Sequence, residues 1–596
     1  MTHNFHIPVM GLAYTIDTPL RVASKGIDSV VSIVDDDLAE KMRAFFCKKH
    51  QLPYTSISAK SIDHRAKRIT AYLNVLDRLV KEKFQNFLDE LSANKKELDQ
   101  FIGMLPPKSV ILEKIKELSP ENFLQHASLI IKEHLSPGAI DVNIMTKVDK
   151  TNFRNKVALD TIYNDAHASL RGFAQSNLKS TLILSAGMNP SLYSYIGTFS
   201  DFLPDADGQL KKKVSLKVSD FRSAMIQGNF LAKKGVWVSE YRIESGLNCG
   251  GHAFATDGLL LGPILEEFKT RRTELEESVH GVLIKALKDK GCYVPGQPLK
   301  TKITVQGGVG TSEEHNFLLD HYSTDAVGWG SPFLLVPEAT AIDQQTRQLL
   351  ASAKEEDLYR SELSPLGVPF NTLRGASNDF YKQMRIDKQR PGSSCPKKYL
   401  ALSKEFGEEG ICTASRKYQE LKINELEESK SDYTNKSLQA KRDSITVKSC
   451  LCVGLANPAY MEKEMEIKGE KQGVVICPGP NLAYFDKEIS LSEMVRHIYG
   501  YTNVLKKGIR PHMFIKELQL YVDFLVDDIQ NNLEGINRVK VKRWKLFKRN
   551  LMEGISYYEN LFGAETTFFK DQKETVLEIL SSYKSNVNDI IIPNVN

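Results

Sequence analysis

Short apolar, β-branched runs recur along the first 331 residues: HIPVMGLAY from His6, SVVSIV from Ser29, AIDVNIM from Ala139, STLILSA from Ser180, VSLKVS from Val214, VWVSEYRI from Val236, KITVQGG from Lys302 and DAVGWGS from Asp325. Most are apolar at successive positions, as strands of a buried parallel sheet are. Stretches with apolar residues three and four apart lie between several of them. FRSAMIQGNFLAKKG from Phe221 and SEEHNFLLDHY from Ser312 are two such helices. Strand alternating with helix over eight strands predicts an α/β fold, a (β/α)8 TIM barrel over residues 1–345.

The second and third runs lie too far apart for one connecting helix. Ile69, Tyr72, Leu73, Leu76, Val80, Phe84 and Phe87 fall there at helical spacing, and Pro106–Pro107 breaks the pattern. Residues 40–135 are read as a helical insertion after the second strand, either a packing appendage or a lid. Beyond Glu338 the chain becomes charged and turn-rich. Two strand-like pieces follow, SITVKSCLCVGL and GVVICPG, and then helical patterns from Leu491 to about Ser585. Residues 346–596 are thus a mixed, mostly helical C-terminal extension. It should pack on the barrel, since no Gly/Ser linker separates the two.

The 596 residues are 41% hydrophobic and 26% charged, which excludes wholesale disorder. A net charge of +5 over this length gives no reason to expect nucleic acid as a partner. No stretch approaches the ~18 apolar residues of a membrane span, and the N-terminus lacks the pattern of a secretory leader. Eight cysteines are too few for a disulfide scaffold. A cytoplasmic protein acting on a small-molecule substrate is expected, with a homo-oligomer left open.

A barrel enzyme carries its chemistry on the loops after the strand C-termini, often with a phosphate site after the last two strands. Glycines cluster there. QGGVGTSEEH brings Gly307, Gly308 and Gly310, then Thr311 and Ser312 as helix caps, and GWGSPF brings Gly328, Gly330 and Ser331. Glycine lets backbone N–H groups approach phosphate oxygens closely. The alternative is that these are only tight turns. After the sixth strand, EYRIESGLNCGGHAFATDG sets Gly250–Gly251 directly before His252. A glycine pair admits a planar ligand, and a histidine there can serve as a base near neutral pH. Cys249 beside it reads as a small buried thiol.

These residues resemble the nitronate monooxygenases, 2-nitropropane dioxygenase-like flavoproteins. SGLNCGGHAFATDGLLLGPIL is similar to the segment in which a glycine pair precedes their catalytic histidine. ITVQGGVGTSEEHNFLLDHYSTDAVGWGSPFLLVPEA is similar to their last two βα units, and IPVMGLAYTIDTPLRVASKGIDSVVSI to their first. The resemblance implies FMN as cofactor and His252 as general base, with Gly250 and Gly251 beside the flavin. It also implies Asn143 near the ring system, Met10 and Gly11 beneath it, and Gly307, Gly308, Gly328, Gly330 and Ser331 around the phosphate. Ser245 stands where the family has glutamine, and GWGS replaces its Gln-Met-Gly-Thr. The rival readings are another FMN barrel, such as an enoyl reductase, and a barrel without catalysis that serves as a binding module.

Two further features lie in the extension. Cys395, Cys412, Cys450, Cys452 and Cys477 are there, none in a C-x2-C pair, and Cys450 and Cys452 would share one face of a strand. Buried thiols, and no metal, are expected. Seven basic residues between Arg538 and Arg549 interleave with Val541, Trp544 and Phe547, which predicts an amphipathic helix with a solvated basic face.

Overall fold

The structure is a computed structural model that describes residues 2–185, 187–467, 473–506, 510–533, 536–564 and 568–594. All eight predicted strands form: Phe5–Ile7, Asp28–Ser32, Ile140–Ile144, Thr181–Leu184, Lys213–Val218, Val238–Glu244, Lys302–Gln306 and Ala326–Gly328. They close into one parallel barrel in chain order, the eighth strand pairing with the first. The fold is therefore an α/β TIM barrel. Helices Phe221–Ala232 and Ser312–Asp320 lie where their spacing placed them.

The second and third strands are joined by a run of helices, of which His64–Ala93 is the longest. Ile69, Tyr72, Leu73 and Leu76 on that helix are fully buried in the main core. Farther out, Phe87, Leu91, Leu98, Phe101 and Ile131 make a small core of their own. The proline pair lies between Lys95–Ile102 and Val110–Lys116, where no helix runs.

The barrel interior differs from the apolar filling that the sequence runs suggest. Glu240, Arg242 and Glu244 alternate along the sixth strand. Arg242 bonds Glu240 at 2.9 and 3.1 Å, and Thr304 donates to Glu240 at 2.5 Å. Burial alone would raise the Glu240 carboxyl, but Arg242, His6 and the Thr304 hydrogen bond together outweigh it and hold the group at about 2. Burial and Asp28 push Asp141, on the third strand, up to about 7. Most of the strand runs read as apolar on both faces, but the lumen face carries His6, Asp141, Asn143, Glu240, Arg242, Thr304 and Gln306, all buried. Charges inside a closed barrel persist because they pair with one another.

In the extension the two strand-like pieces prove not to be strands. Residues 435–446 are helical, Leu451–Gly454 is a short helix, and 473–479 is extended but outside any sheet. A closed barrel has no free edge, so an apolar run beyond it finds no ladder to join. Cys450 therefore sits at a helix cap and Cys452 inside the helix, not on one face of a strand. Four helices follow, Leu491–Ile498, Met513–Asn531, Arg538–Gly563 and Lys573–Asp589. Val541, Trp544 and Phe547 turn inward from the basic helix, as expected. Among the described residues, no helix is long and apolar enough to cross a membrane.

The extension joins the barrel through buried groups. Arg510 and the Met513 N–H both bond the Glu314 carboxylate, at 2.7 and 2.8 Å, and Tyr14 donates to the Val475 carbonyl at 2.7 Å. Limited proteolysis should therefore cut exposed loops without releasing an intact, folded 1–345 fragment. Arg510→Met should lower unfolding stability by about 3–5 kcal/mol in urea titrations, because it strands a buried carboxylate.

Candidate active site

Gln306 lies opposite Gly328 in the register of the last two strands, so the two glycine loops leave the barrel side by side. The capping box of the helix after the seventh strand is complete. Thr311 is its N-cap, and Glu314 accepts from the Gly310 and Thr311 N–H groups at 2.9 and 3.3 Å. That carboxylate occupies the backbone donors of Gly310 and Thr311. Any phosphate between the loops must then use Gly308 and the Gly330–Ser331 turn that opens the Ser331–Leu335 helical turn.

The predicted residues do gather at the barrel mouth, and much of what they touch is this chain itself. A Cβ at Gly308 would lie 2.0 Å from Asn248 Nδ2, and one at Gly250 2.5 Å from the Cys477 carbonyl oxygen. A Cβ at Gly307 would meet Ser245 at 2.6 Å, and one at Gly328 would meet Gln306 at 2.8 Å. Gly11 is held close to the Tyr14 ring. By contrast a Cβ at Gly251 would have nothing within 4 Å, and one at Gly330 would meet only Pro8 at 3.4 Å and Met10 Sδ at 4.0 Å.

What crosses the mouth is the stretch Val474–Asn481, extended as far as Gly479 and then entering the helical turn Pro480–Tyr484. Cys477 accepts from the Gly251 N–H at 3.1 Å, the Gly479 N–H donates to Ser331 Oγ at 2.7 Å, and Asn481 Nδ2 donates to the Val309 carbonyl at 2.6 Å. Ser245 hydrogen-bonds the Glu517 carboxyl, which also accepts from the Leu261 N–H at 2.9 Å. Sequence patterning could not show these contacts, because they join positions 148 to 272 residues apart.

His252 lies within this roof. Its Nε2 meets Ser364 Oγ at 2.7 Å, and its ring stands edge-on to Phe370 at 4.9 Å. The neighbouring backbone pairs with the same extension hairpin, Ala253 N–H to the Pro369 carbonyl and Asn371 N–H to the Gly251 carbonyl, both 2.9 Å. Burial, and then the positive Lys217, lower the imidazole pKa to about 4, so it is uncharged at neutral pH. Lys217 stands 3.3 Å from Glu244, which accepts from Gln306 Nε2 at 2.9 Å. Lys217 and Glu244 were missed from sequence. The available signal was a charge at lumen-facing positions of the fifth and sixth strands.

The fit to FMN rests on what is left unsatisfied. Asn143 Oδ1, at the lumen end of the third strand, and Asn248 Oδ1, beside Gly308, are buried without a hydrogen bond. Buried acceptors on two sides of the mouth, with room for a Cβ at Gly251 and Gly330, fit a polar ligand that donates hydrogen bonds, as the ring N–H of a flavin would. Cys249 contacts the Gln306 carbonyl at 3.7 Å, and burial raises its thiol well above the ordinary range. Cys395, Cys412, Cys450, Cys452 and Cys477 are buried free thiols. Among the described residues, no three His, Cys, Asp or Glu side chains are grouped to hold a metal ion.

The fold and mouth define a TIM barrel whose C-terminal face is roofed by its own extension. No protein-family model matches the chain, and no curated protein matches it. Among solved structures it is similar to FabK from Thermotoga maritima, at 13% identity over 69% of this chain and 86% of that one, with a TM-score of 0.30. It is also similar to the enoyl reductase domain of MlnA from the macrolactin biosynthesis cluster of Bacillus amyloliquefaciens, at 14% identity over 70% and 89%, with a TM-score of 0.32. At these values neither likeness bears on function.

Burial raises Glu517 from 4.5 to about 7. A carboxyl with a raised folded pKa contributes fully below the unfolded value and loses that contribution as pH rises through the folded one. The wild type should therefore lose up to about 3 kcal/mol from this group between pH 4.5 and 8. Glu517→Gln should flatten that part of the profile, matching wild type near pH 4.5 and exceeding it at pH 8 in urea melts.

Proposed function

We propose that the barrel is an FMN-dependent oxidoreductase, with His252 as the base that takes a proton from a carbon acid. Asn143 Oδ1 carries the reading: it is a buried, unsatisfied acceptor at the position that the family resemblance sets near the flavin ring. Gly308, Gly330 and Ser331 would hold the phosphate, and Met10, Gly11, Gly250 and Gly251 would border the ring. The bound flavin would supply a two-electron acceptor that passes electrons to oxygen or another oxidant.

The chain's own residues prepare this chemistry. Burial and Lys217 keep His252 in its neutral, proton-accepting form, and Ser364 and Phe370 fix the ring's orientation. The stretch Val474–Asn481 excludes water from the mouth. Nitronate oxidation and enoyl reduction are both compatible with this arrangement. A binding module without catalysis is the second reading, favoured by the backbone of Cys477–Gly479 lying against Gly250.

The full-length chain should purify yellow, with mass spectrometry of the released ligand giving FMN; a colourless protein would favour the binding module. His252→Asn should keep flavin content near wild type and slow flavin reduction about 10²–10⁴-fold with a working substrate. Loss of flavin without a loss of chemistry would make His252 structural.

A further inference from the structure

On the other side of the barrel mouth, the loop after the third strand and the first turns of helices Asp165–Ala174 and Pro190–Ile196 bring Asp149, His167 and Ser191 into one hydrogen-bonded line. Asp149 Oδ2 lies 2.6 Å from His167 Nδ1, and His167 Nε2 lies 3.3 Å from Ser191 Oγ. The His167 imidazole is buried, Asp149 is partly buried, and Ser191 is exposed to solvent. Asp149 is also held by the Ala166 and His167 N–H groups, at 2.9 and 3.3 Å, on its other oxygen. Those bonds orient the carboxylate and fix which ring nitrogen of His167 carries the proton.

The supporting frame is tight. Asn189 donates to the Thr146 carbonyl at 2.9 Å, which ties the loop before Ser191 to the loop that carries Asp149. The Tyr195 ring stands 5.3 Å from the imidazole and limits its rotation. Lys147 lies across Gly187 on the same loops, adding a cation to that surface. Such a line is recognised by geometry and by role, and nucleophile-to-base distances are often somewhat long before substrate binds.

We propose that Asp149, His167 and Ser191 form a second catalytic site, in which Ser191 is an activated nucleophile toward small carboxylic esters. Ser191 Oγ attacks the ester carbonyl as its proton passes to His167 Nε2. The carbonyl carbon–oxygen bond to the leaving alcohol breaks, and His167 returns the proton to that oxygen. Water, deprotonated by His167, then hydrolyses the acyl-serine to release the acid and regenerate Ser191. No oxidant or cofactor takes part, so the site works independently of any flavin.

The test uses the full-length protein with a fluorophosphonate, followed by peptide mapping, and with p-nitrophenyl acetate. A fluorophosphonate forms an Oγ–P bond as fluoride leaves. Label should map to Ser191, and Ser191→Ala should abolish it together with ester hydrolysis, while leaving thermal melting and flavin content unchanged. Asp149→Asn should slow labelling about 10²–10⁴-fold, because the asparagine favours the wrong ring tautomer. His167→Gln should lower it similarly, and Asp149→Asn decides the matter if that variant melts early. Absence of label at Ser191, or equal labelling in Asp149→Asn, overturns the proposal. A colourless protein that still labels at Ser191 would sink only the flavin reading.

Discussion

One buried carboxylate ties the two halves of the chain together. Glu314 closes the capping box of the helix after the seventh strand, so barrel geometry fixes its position. Its oxygens then receive Arg510 and the Met513 N–H, at the entry to the long helix Met513–Asn531. Arg510 continues from there, donating to the Gly308 carbonyl at 2.6 Å and to Asn481 at 2.9 Å. Burial would raise the Glu314 carboxyl, but Arg510, His512 and the Gly310 N–H together outweigh it and hold the group below its ordinary value. The charge is kept because every lone pair has a donor, and removing any one donor leaves an ion buried in a poorly polarisable interior. The roof over the mouth, the helix that supplies Glu517 and the packing of the glycine loops all hang from this point.

How much of this could be read from the chain depends on how local each signal is. Strands such as Ile140–Ile144 and Lys302–Gln306 were legible because a short β-branched run needs only neighbours in the same barrel. The glycine positions were legible for the same reason: a loop that must approach another backbone cannot carry a side chain, as Gly250 against Cys477 and Gly308 against Asn248 illustrate. What they approach was not legible. The resemblance assigned the space at Gly250 to a flavin, whereas the nearest atom there is a carbonyl oxygen from the extension. The extended piece around Val474 had strand composition and became a roof, because its hydrogen bonds go to Gly454, Tyr14 and Gly251 instead of to a parallel neighbour.

The polar lumen follows a similar logic. In VWVSEYRI the charges at Glu240, Arg242 and Glu244 repeat every second residue, which places all three on one face of the strand. That face turned inward, since Tyr241 and Ile243, on the other face, pack in the core outside the lumen. Glu240 and Arg242 pair low in the barrel, whereas Glu244 pairs upward with Lys217 at the mouth. The charge that lowers the His252 pKa is thus the upper end of a ladder built into the strands.

The two proposed sites sit in different environments. At the sixth strand burial, and then Lys217, lower the pKa of His252, the proposed base. At the third and fourth strands the imidazole instead faces a carboxylate held by two backbone N–H groups. A carboxylate there stabilises the imidazolium that forms when a hydroxyl gives up its proton. His252 stays neutral mainly because it is buried, and Lys217 adds to that effect. The roof meets Gly250, Ser331 and Val309 on one side of the mouth, and Ser191 on the other is exposed to solvent.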